Sequence, residues 1–241
     1  MDRALDRVKA VVFDVFGTLV DWRTSVTREL ASFGRSRGIT HDWQAFADEW
    51  RGLYQPSMEE VRAGRRSFVI LDELHVESLR TLIDRHDLPI VSNADIDHLK
   101  RVWHRLEPWP DVVEGLYRLK RRHLIAPLSN GNIGLMVRLA KHGGLPWDAI
   151  LGAEVAQAYK PDPRAYIGAV EALNLEPAEC LMVAAHNDDL VAAEAQGLRT
   201  AFVVRPTEHG AGQTKDLTAS QPWTIVTDTI GGVADALACP R

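Results

Sequence analysis

The chain has 241 residues, of which 46% are hydrophobic and 25% are charged, and its formal net charge at pH 7 is −5. This composition excludes an extensively disordered protein, and the length allows one domain with a large insertion or two small domains. The negative net charge argues against nucleic acid or an anionic membrane surface as a partner.

The cellular setting is inferred from the first residues and from the cysteines. The chain begins with acidic residues and no apolar stretch of signal-peptide length, and no later stretch is long and apolar enough to cross a membrane. Cys180 and Cys239 have neither a metal-binding spacing nor the number that a disulfide framework needs. We therefore expect a soluble, cytoplasmic protein with two free thiols.

Short apolar runs rich in β-branched residues predict the strands. They lie at residues 8–13, 124–128, 180–184 and 200–204, and each precedes polar or glycine-bearing residues and then a helical pattern. Strands that alternate with helices predict an α/β fold with a doubly wound, Rossmann-like parallel sheet. Residues 206–222 have few apolar side chains and are expected to form a surface loop.

Residues 22–107 show a different pattern, in which apolar side chains such as Trp43, Phe46, Trp50 and Leu53 recur at intervals of three to five. The pattern predicts an all-helical cap, inserted into an α/β core domain made of residues 1–21 and 108–241. The two prolines in residues 107–110 favour an extended return to the sheet.

Polar side chains follow the predicted strands directly, at the end where ligands bind in an open parallel sheet. They are Asp14, Thr18, Ser129, Asn130, His186 and Asp189, joined by Lys160 from a turn and Tyr166 from the helix after it. We expect them to converge on one crevice.

Asp14 is the predicted nucleophile, because a carboxylate near hydroxyls, an ammonium group and a second carboxylate supplies the parts for covalent catalysis by aspartate. Lys160 would neutralise the negative charge. Thr18 and Ser129 would hold oxygens by hydrogen bonds. Asp189 would pair with Lys160 and orient or deprotonate water.

In its motifs the chain resembles the haloacid dehalogenase superfamily. Residues 14–19 read DVFGTL, residues 129–131 read SNG, residues 160–163 read KPDP, and an acidic fourth motif ends at Asp189, in the family's order. The resemblance covers most of the chain and implies the same fold with Asp14 as the nucleophile.

Most members of this superfamily are magnesium-dependent phosphatases, and two parts that they need are absent here. Their general acid corresponds to Phe16, which cannot donate a proton, and one magnesium ligand corresponds to Ala185. A halide leaves without protonation, and its displacement needs no metal. The remaining pattern is similar to that of the L-2-haloacid dehalogenases, which implies a hydrolase without metal or other cofactor.

That branch acts on small 2-haloacids, so the resemblance implies conversion of haloacetates and L-2-haloalkanoates to 2-hydroxy acids through an ester on Asp14. Residues 50–54 resemble its arginine-bearing helix, so Arg51 would stabilise the departing halide, with Arg65 and Arg66 as the alternatives. The family also implies a homodimer through the helical cap.

Three further residues are assigned to substrate binding. Phe16 would form an apolar wall of the pocket, and Asn130 would offer its amide to the halide or to the substrate carboxylate. Tyr166 matches a tyrosine of the branch, and a packing role is its alternative.

The fourth motif departs from the branch pattern of Ser-x-Asn-x-x-Asp. Residues 184–189 read AAHNDD, so His186 stands at the position of the asparagine. Contact with the halide, help in ester hydrolysis and a structural role are all open for His186. Contact with the halide would favour fluoroacetate as a substrate, because a protonated imidazole holds a small halide strongly.

Two other functions remain open from the sequence alone. One is a phosphatase that binds magnesium through Asp14 and Asp189, and the other is a non-catalytic protein that binds a small carboxylate. Phe16 argues against the first, and an intact nucleophile argues against the second. The sequence names neither the halogen nor the chain length of the acid.

Overall fold

Six parallel strands form the central sheet of the computed structural model, which describes residues 5–90 and 92–240. The strands are β1 (Ala10–Phe13), β2 (Val20–Asp21), β3 (Glu107–Pro108), β4 (Leu124–Ser129), β5 (Leu151–Gly152), β6 (Cys180–Ala184), β7 (Arg199–Val203) and β8 (Ile225–Thr227). The sheet has the order β5-β4-β1-β6-β7-β8, while β2 and β3 pair separately. The predicted α/β fold with a parallel sheet is therefore confirmed, and its first strand lies at the centre.

Both faces of the sheet are covered, because alternate residues of each central strand point to opposite sides. In β1, Val11 and Phe13 belong to one apolar cluster, whereas Ala10 and Val12 belong to the other. All four residues are buried. Burial on both sides explains why the strands are continuous apolar runs rather than alternating ones.

The helices flank the sheet or lie between β2 and β3. They are α1 (Trp22–Arg37), α2 (Trp43–Gly52), α3 (Tyr54–Arg62), α4 (Leu71–Arg85), α5 (Asn93–Lys100), α6 (Val112–Lys120), α7 (Ile133–Gly143), α8 (Ala153–Ala156), α9 (Pro163–Ala172), α10 (Asn187–Ala195) and α11 (Ile230–Ala236). We call α1–α5, with the 3-10 turn Arg101–His104, the helical insertion. β2 and β3 pair antiparallel at its two ends, Val20 with Pro108 and Asp21 with Glu107.

A buried polar cluster connects the helical insertion to the sheet. Asn132, after β4, accepts a hydrogen bond from the backbone N–H of Asp72 (3.2 Å) and donates one to its Oδ2 (3.1 Å). His104 Nε2 lies 2.8 Å from Asp72 Oδ1. These contacts compensate the burial of the Asp72 carboxylate and fix the start of α4 against the end of β4.

Within the described ranges, no helix has both the length and the apolar character that a membrane crossing requires. Cys180 and Cys239 are both free thiols and both buried.

Candidate active site

A cleft of about 710 Å³ opens where the carboxyl ends of the central strands face the helical insertion. Asp14 follows β1, Asn130 follows β4 and His186 follows β6, so the order of the sheet brings these side chains together. Lys160, Pro161, Asp188 and Asp189 complete this side, and Trp22, Arg51 and Tyr54 line it from the insertion. The predicted convergence on one crevice therefore describes most, but not all, of the site residues.

The Asp14 carboxylate lies in this cleft with only 7% of the residue exposed. Its Oδ1 accepts a hydrogen bond from Lys160 Nζ (2.9 Å), and its Oδ2 accepts one from Thr18 Oγ1 (2.7 Å). His186 Nδ1 is 3.1 Å from the same Oδ2. Burial alone would raise the pKa of Asp14, but Lys160 and His186 outweigh it and hold that pKa below its usual range. The group is thus a carboxylate, the form that a nucleophile needs.

Lys160 bridges the two carboxylates of the cleft. Its Nζ donates to Asp14 and also to Asp189 Oδ2 (2.5 Å), while its backbone N–H donates to Asn130 Oδ1 (2.8 Å). Burial would lower the pKa of Lys160, yet the two aspartates raise it above its usual value. A charged ammonium group therefore stays between the carboxylates.

Asp189 differs from Asp14 in its proton affinity. Burial and the nearby charge of Asp14 raise the pKa of Asp189 above its usual value, although Lys160 acts in the opposite direction. Its Oδ1 accepts a hydrogen bond from the Tyr166 hydroxyl at 2.6 Å. Asp189 is consequently the more basic of the two carboxylates, while the neighbouring Asp188 is exposed.

Arg51, in the last turn of α2, lies in the cleft against two aromatic rings. Its Cζ is 4.1 Å from the centroid of the Tyr54 ring and 5.6 Å from that of Trp22. The Nε atom is buried and has no hydrogen-bond partner among the described residues. Arg65 and Arg66, the alternatives from the sequence, pair with Glu60 and Glu77 at the surface. Of these three arginines, the structure brings only Arg51 to the cleft.

Glu208 contacts a predicted site residue, and the sequence did not reveal it. It lies in the segment predicted as a surface loop, but it is only 1% exposed, unlike most of that segment. Its Oε2 is 2.9 Å from His186 Nε2, and its Oε1 accepts a hydrogen bond from Trp22 Nε1 (3.1 Å). No periodicity or motif marks this inward turn, because it depends on contacts with Trp22 and His186 that are distant in sequence.

Gly17 is the part of the first motif that accommodates Glu208. Its φ is +86°, a conformation that favours glycine, and an added Cβ would overlap with the Glu208 carboxylate. The glycine of the DVFGTL motif therefore leaves the space that this buried carboxylate occupies.

Three predicted site residues are fully buried and make their contacts within the protein. Ser129 is fully buried, and its Oγ accepts a hydrogen bond from the backbone N–H of Gly131 (3.1 Å). Thr18 is also fully buried and holds an oxygen of Asp14. Tyr166, which the sequence assigned to substrate binding, is fully buried and contacts Asp189 instead.

Phe16 lines the cleft as predicted and also packs into the helical insertion. Its ring makes edge contacts with Tyr54 and Trp103, at centroid distances of 6.3 and 6.1 Å. The residue at the position of the phosphatase general acid is thus part of an aromatic cluster that joins the two halves of the cleft.

The residues of this cleft do not fit a magnesium ion. The Lys160 ammonium lies between Asp14 and Asp189, the two carboxylates that would have to hold the metal. The side chains of Phe16 and Ala185 contribute no oxygen at the neighbouring positions, and magnesium requires a nearly octahedral set of oxygen ligands.

Comparisons with known proteins show the family of the chain. A family model for haloacid dehalogenase-like hydrolases matches residues 8–197. The chain is 31% identical over 210 residues to an (S)-2-haloacid dehalogenase of Pseudomonas sp. (strain YL), covering 83% of this chain and 84% of that protein.

Two solved structures are more similar still. The crystal structure of the defluorinating L-2-haloacid dehalogenase Rha0230 has a TM-score of 0.93 and 45% identity, with 96% of both chains covered. That of the L-2-haloacid dehalogenase PA0810 has a TM-score of 0.93 and 44% identity, with 96% of this chain and 99% of that chain covered.

Proposed function

Because this chain belongs to the haloacid dehalogenase-like hydrolases, in the branch of the L-2-haloacid dehalogenases, we propose that it hydrolyses the carbon–halogen bond of small 2-haloacids. The substrates are haloacetates and L-2-haloalkanoates, and the products are 2-hydroxy acids. The observation that carries the proposal is the buried Asp14 carboxylate, kept charged by Lys160 and His186 in a cleft shared with Arg51.

The first step is an attack by Asp14 on the halogen-bearing carbon. A carboxylate oxygen accepts about two hydrogen bonds. Among the described residues, Oδ2 has contacts with Thr18 and His186, whereas Oδ1 has one contact, with Lys160. Oδ1 therefore keeps a lone pair for the attack, in which a carbon–oxygen bond forms and the carbon–halogen bond breaks. The guanidinium of Arg51 stabilises the halide as it departs.

The second step is hydrolysis of the ester on Asp14. A water molecule attacks Cγ, and Asp189, the more basic of the two carboxylates, accepts a proton from this water. Hydrogen bonds from Lys160 and Tyr166 hold Asp189 in position. The bond from Cγ to Oδ1 breaks, so Oδ1 leaves with the 2-hydroxy acid and takes up a proton. Since only the first step occurs at the substrate carbon, that carbon is inverted once.

We also propose that the reaction needs no metal ion. Lys160 supports this, because it lies between the two carboxylates. Phe16 and Ala185 support it too, because they stand where a phosphatase has its general acid and a magnesium ligand. Release of chloride from chloroacetate should continue unchanged in excess chelator. Activity that is lost with the chelator and restored by magnesium would favour the phosphatase instead. A protein that binds the acid without releasing halide would be the non-catalytic alternative.

The role of Asp14 is tested by Asp14→Asn, which should lower halide release by about 10⁴-fold or more, because an amide is a poor nucleophile. Asp84→Asn, at an exposed aspartate of α4, is the matched control. A single turnover in heavy-oxygen water should place the label in the Asp14 peptide. Label in the product alone would mean that water attacks the substrate directly, and Asp14 would not be the nucleophile.

We extend the proposed substrates to fluoroacetate, and similarity to the defluorinating enzyme Rha0230 supports this extension. Fluoride release, measured with an ion-selective electrode, tests it.

A homodimer through the helical insertion belongs to the same proposal. The large exposed apolar side chains of the described residues all lie outside the insertion, so this interface would be mostly polar. Light scattering would measure the mass of the assembly.

A further inference from the structure

His186 lies between two carboxylates, and only one of them belongs to the nucleophile. Its Nδ1 is 3.1 Å from Asp14 Oδ2 and its Nε2 is 2.9 Å from Glu208 Oε2. Both contacts are hydrogen bonds only when both ring nitrogens carry a proton, which is the imidazolium form. Burial would lower the pKa of His186, but Glu208 and Asp14 raise it well above the usual value, in agreement with this form.

Glu208 is held in one orientation. Glu208 is only 1% exposed. Its Oε1 accepts a hydrogen bond from Trp22 Nε1, and its Oε2 accepts one from Nε2 of the His186 ring. A buried carboxylate without a partner would be strongly disfavoured, so His186 and Glu208 stabilise each other's charged forms. Lys160 contacts Asp14 and Asp189, and His209 contacts Glu208. The other titratable groups that line the same cleft are Asp48, Arg51, Tyr54, Asp188, Lys215 and Asp216.

The two oxygens of Asp14 have different fates in the proposed reaction. Oδ1 attacks the substrate carbon and becomes the bridging oxygen of the ester. Oδ2 becomes the ester carbonyl oxygen, and it carries the negative charge when water adds to Cγ. The hydroxyl of Thr18 already donates to Oδ2 at 2.7 Å, and that hydroxyl is fixed by the backbone N–H of Ala185 at 2.9 Å.

We propose that His186 Nδ1–H and Thr18 Oγ1–H form an oxyanion hole on Asp14 Oδ2 for ester hydrolysis, and that Glu208 is the positioning residue that keeps His186 protonated. This inference rests on the proposed dehalogenase function. When water bonds to Cγ, the carbonyl electron pair moves to Oδ2 and is stabilised by these two donors. The pair returns as the bond from Cγ to Oδ1 breaks, and the proton taken by Asp189 passes to the leaving oxygen.

The contacts favour this role over the two others that the sequence left open. A general base needs a free ring nitrogen, but Nε2 faces Glu208 and Nδ1 faces Oδ2. Contact with the halide would need a donor directed away from Asp14, and both ring N–H groups are already engaged. His186 therefore acts on the ester rather than on the leaving group.

The test compares chloroacetate with bromoacetate, because both give the same glycolyl ester on Asp14. His186→Leu, which has no side-chain donor, should slow ester hydrolysis by about 10²–10³-fold, as loss of one oxyanion donor does in other enzymes. Hydrolysis then limits turnover, so kcat should become equal for the two substrates. One equivalent of halide should appear in a fast burst, and mass spectrometry of the intact protein should show the accumulated ester.

Glu208→Gln removes the charge but keeps an acceptor for Trp22. We expect it to leave the burst rate nearly unchanged and to slow hydrolysis about tenfold, the difference between a charged and a neutral donor. Its kcat should fall as the pH rises from 6 to 8, because His186 then loses its proton more easily. The double variant with His186→Leu should be no slower than His186→Leu alone, since Glu208 acts through His186. Glu171→Gln, an exposed carboxylate, is the control.

The outcomes separate the two proposals. If the wild-type enzyme releases no halide, the proposed function itself fails. If it releases halide but both variants lose the burst and accumulate no ester, His186 acts in the first step and the oxyanion hole is wrong. A kcat that rises with pH in Glu208→Gln would instead identify His186 as a general base. The double variant keeps the test valid if the buried Glu208 destabilises His186→Leu, because it removes both charges together.

Discussion

Aromatic packing holds Arg51 at the cleft. The guanidinium lies over the Tyr54 ring and near that of Trp22, contacts that are favourable for a planar cation and that hold the group at the cleft. Its Nε is buried and has no partner among the described residues. In the proposed mechanism the positive charge of the guanidinium stabilises the departing halide.

Arg51→Gln should therefore lower kcat for halide release by about 10²–10³-fold, the usual effect of removing one group that stabilises developing charge. Arg65→Gln is the matched control, because Arg65 belongs to the same insertion but pairs with Glu60 at the surface. Steady-state kinetics with chloroacetate measures both variants. Equal and small effects in the two would remove Arg51 from the proposed mechanism.

Single residues could be predicted where the chain itself fixes their position. Asp14, Asn130 and His186 lie within two residues of the ends of central strands, so the parallel sheet determines where they meet. Glu208 could not be predicted, because its burial depends on a loop that folds back over Gly17. The detailed contacts of Ser129 and Tyr166 were also beyond the sequence, since they depend on side-chain orientation within a packed layer.

The turn after β1 depends on the absence of a side chain at Gly17. Gly17→Ala would place a methyl group into the Glu208 carboxylate and would also strain a backbone with φ of +86°. Gly38, at the end of α1, has φ of +67°, but nothing in the described structure lies within 4 Å of an added Cβ. Alanine would strain the backbone at both positions, but only at Gly17 would its methyl group also overlap with another side chain.

We expect Gly38→Ala to lower the free energy of unfolding by about 1–2 kcal/mol, the cost of a left-handed alanine. Gly17→Ala should cost about 1–3 kcal/mol more, because Glu208 must also move. Urea unfolding at neutral pH measures both. Equal losses of unfolding free energy in the two variants would show that Glu208 can move aside without cost. Gly17 would then be required only for its backbone conformation.

Strands and helices were predictable in proportion to their length. The four predicted strands are all present, because each is a buried run of four residues or more. β5 has two residues and β8 has three, too few to give a pattern, and both exist only because they pair with a neighbour. The helical pattern of the insertion was visible, but the division of the chain into two domains at residues 22 and 107 stays a prediction.

Across the whole molecule, the helical insertion and the sheet share one apolar cluster, which contains Phe13 and Phe16 as well as Trp50 and Trp103. The polar cluster of Asp72, His104 and Asn132 is buried at the same junction. Polar groups that bond only in one arrangement fix the orientation that apolar contacts leave free. The cleft therefore depends on the junction as a whole.

His75 lies in this junction and makes stability depend on pH. It is 3% exposed, its ring stacks on Trp103 with a centroid distance of 4.5 Å, and neither ring nitrogen has a hydrogen-bond partner among residues 5–90 and 92–240. Burial lowers the pKa of His75 from 6.5 to about 3. Between these values the unfolded chain binds a proton that the folded protein does not, so stability falls as the pH is lowered from 6.5 toward 3.

His75→Phe keeps a stacking ring and removes the titrating group. Above pH 7 the two proteins should differ by a constant amount in their free energy of unfolding. As the pH falls below 6.5, the wild-type protein should lose up to about 1.4 kcal/mol per pH unit more than the variant, the cost of one additional proton bound by the unfolded chain. Urea unfolding at several pH values between 5 and 8 measures this difference, and acid effects of the carboxylates cancel because both proteins share them. Parallel stability curves over this range would mean that His75 can be protonated in the folded protein without cost, and the junction would then tolerate a buried charge.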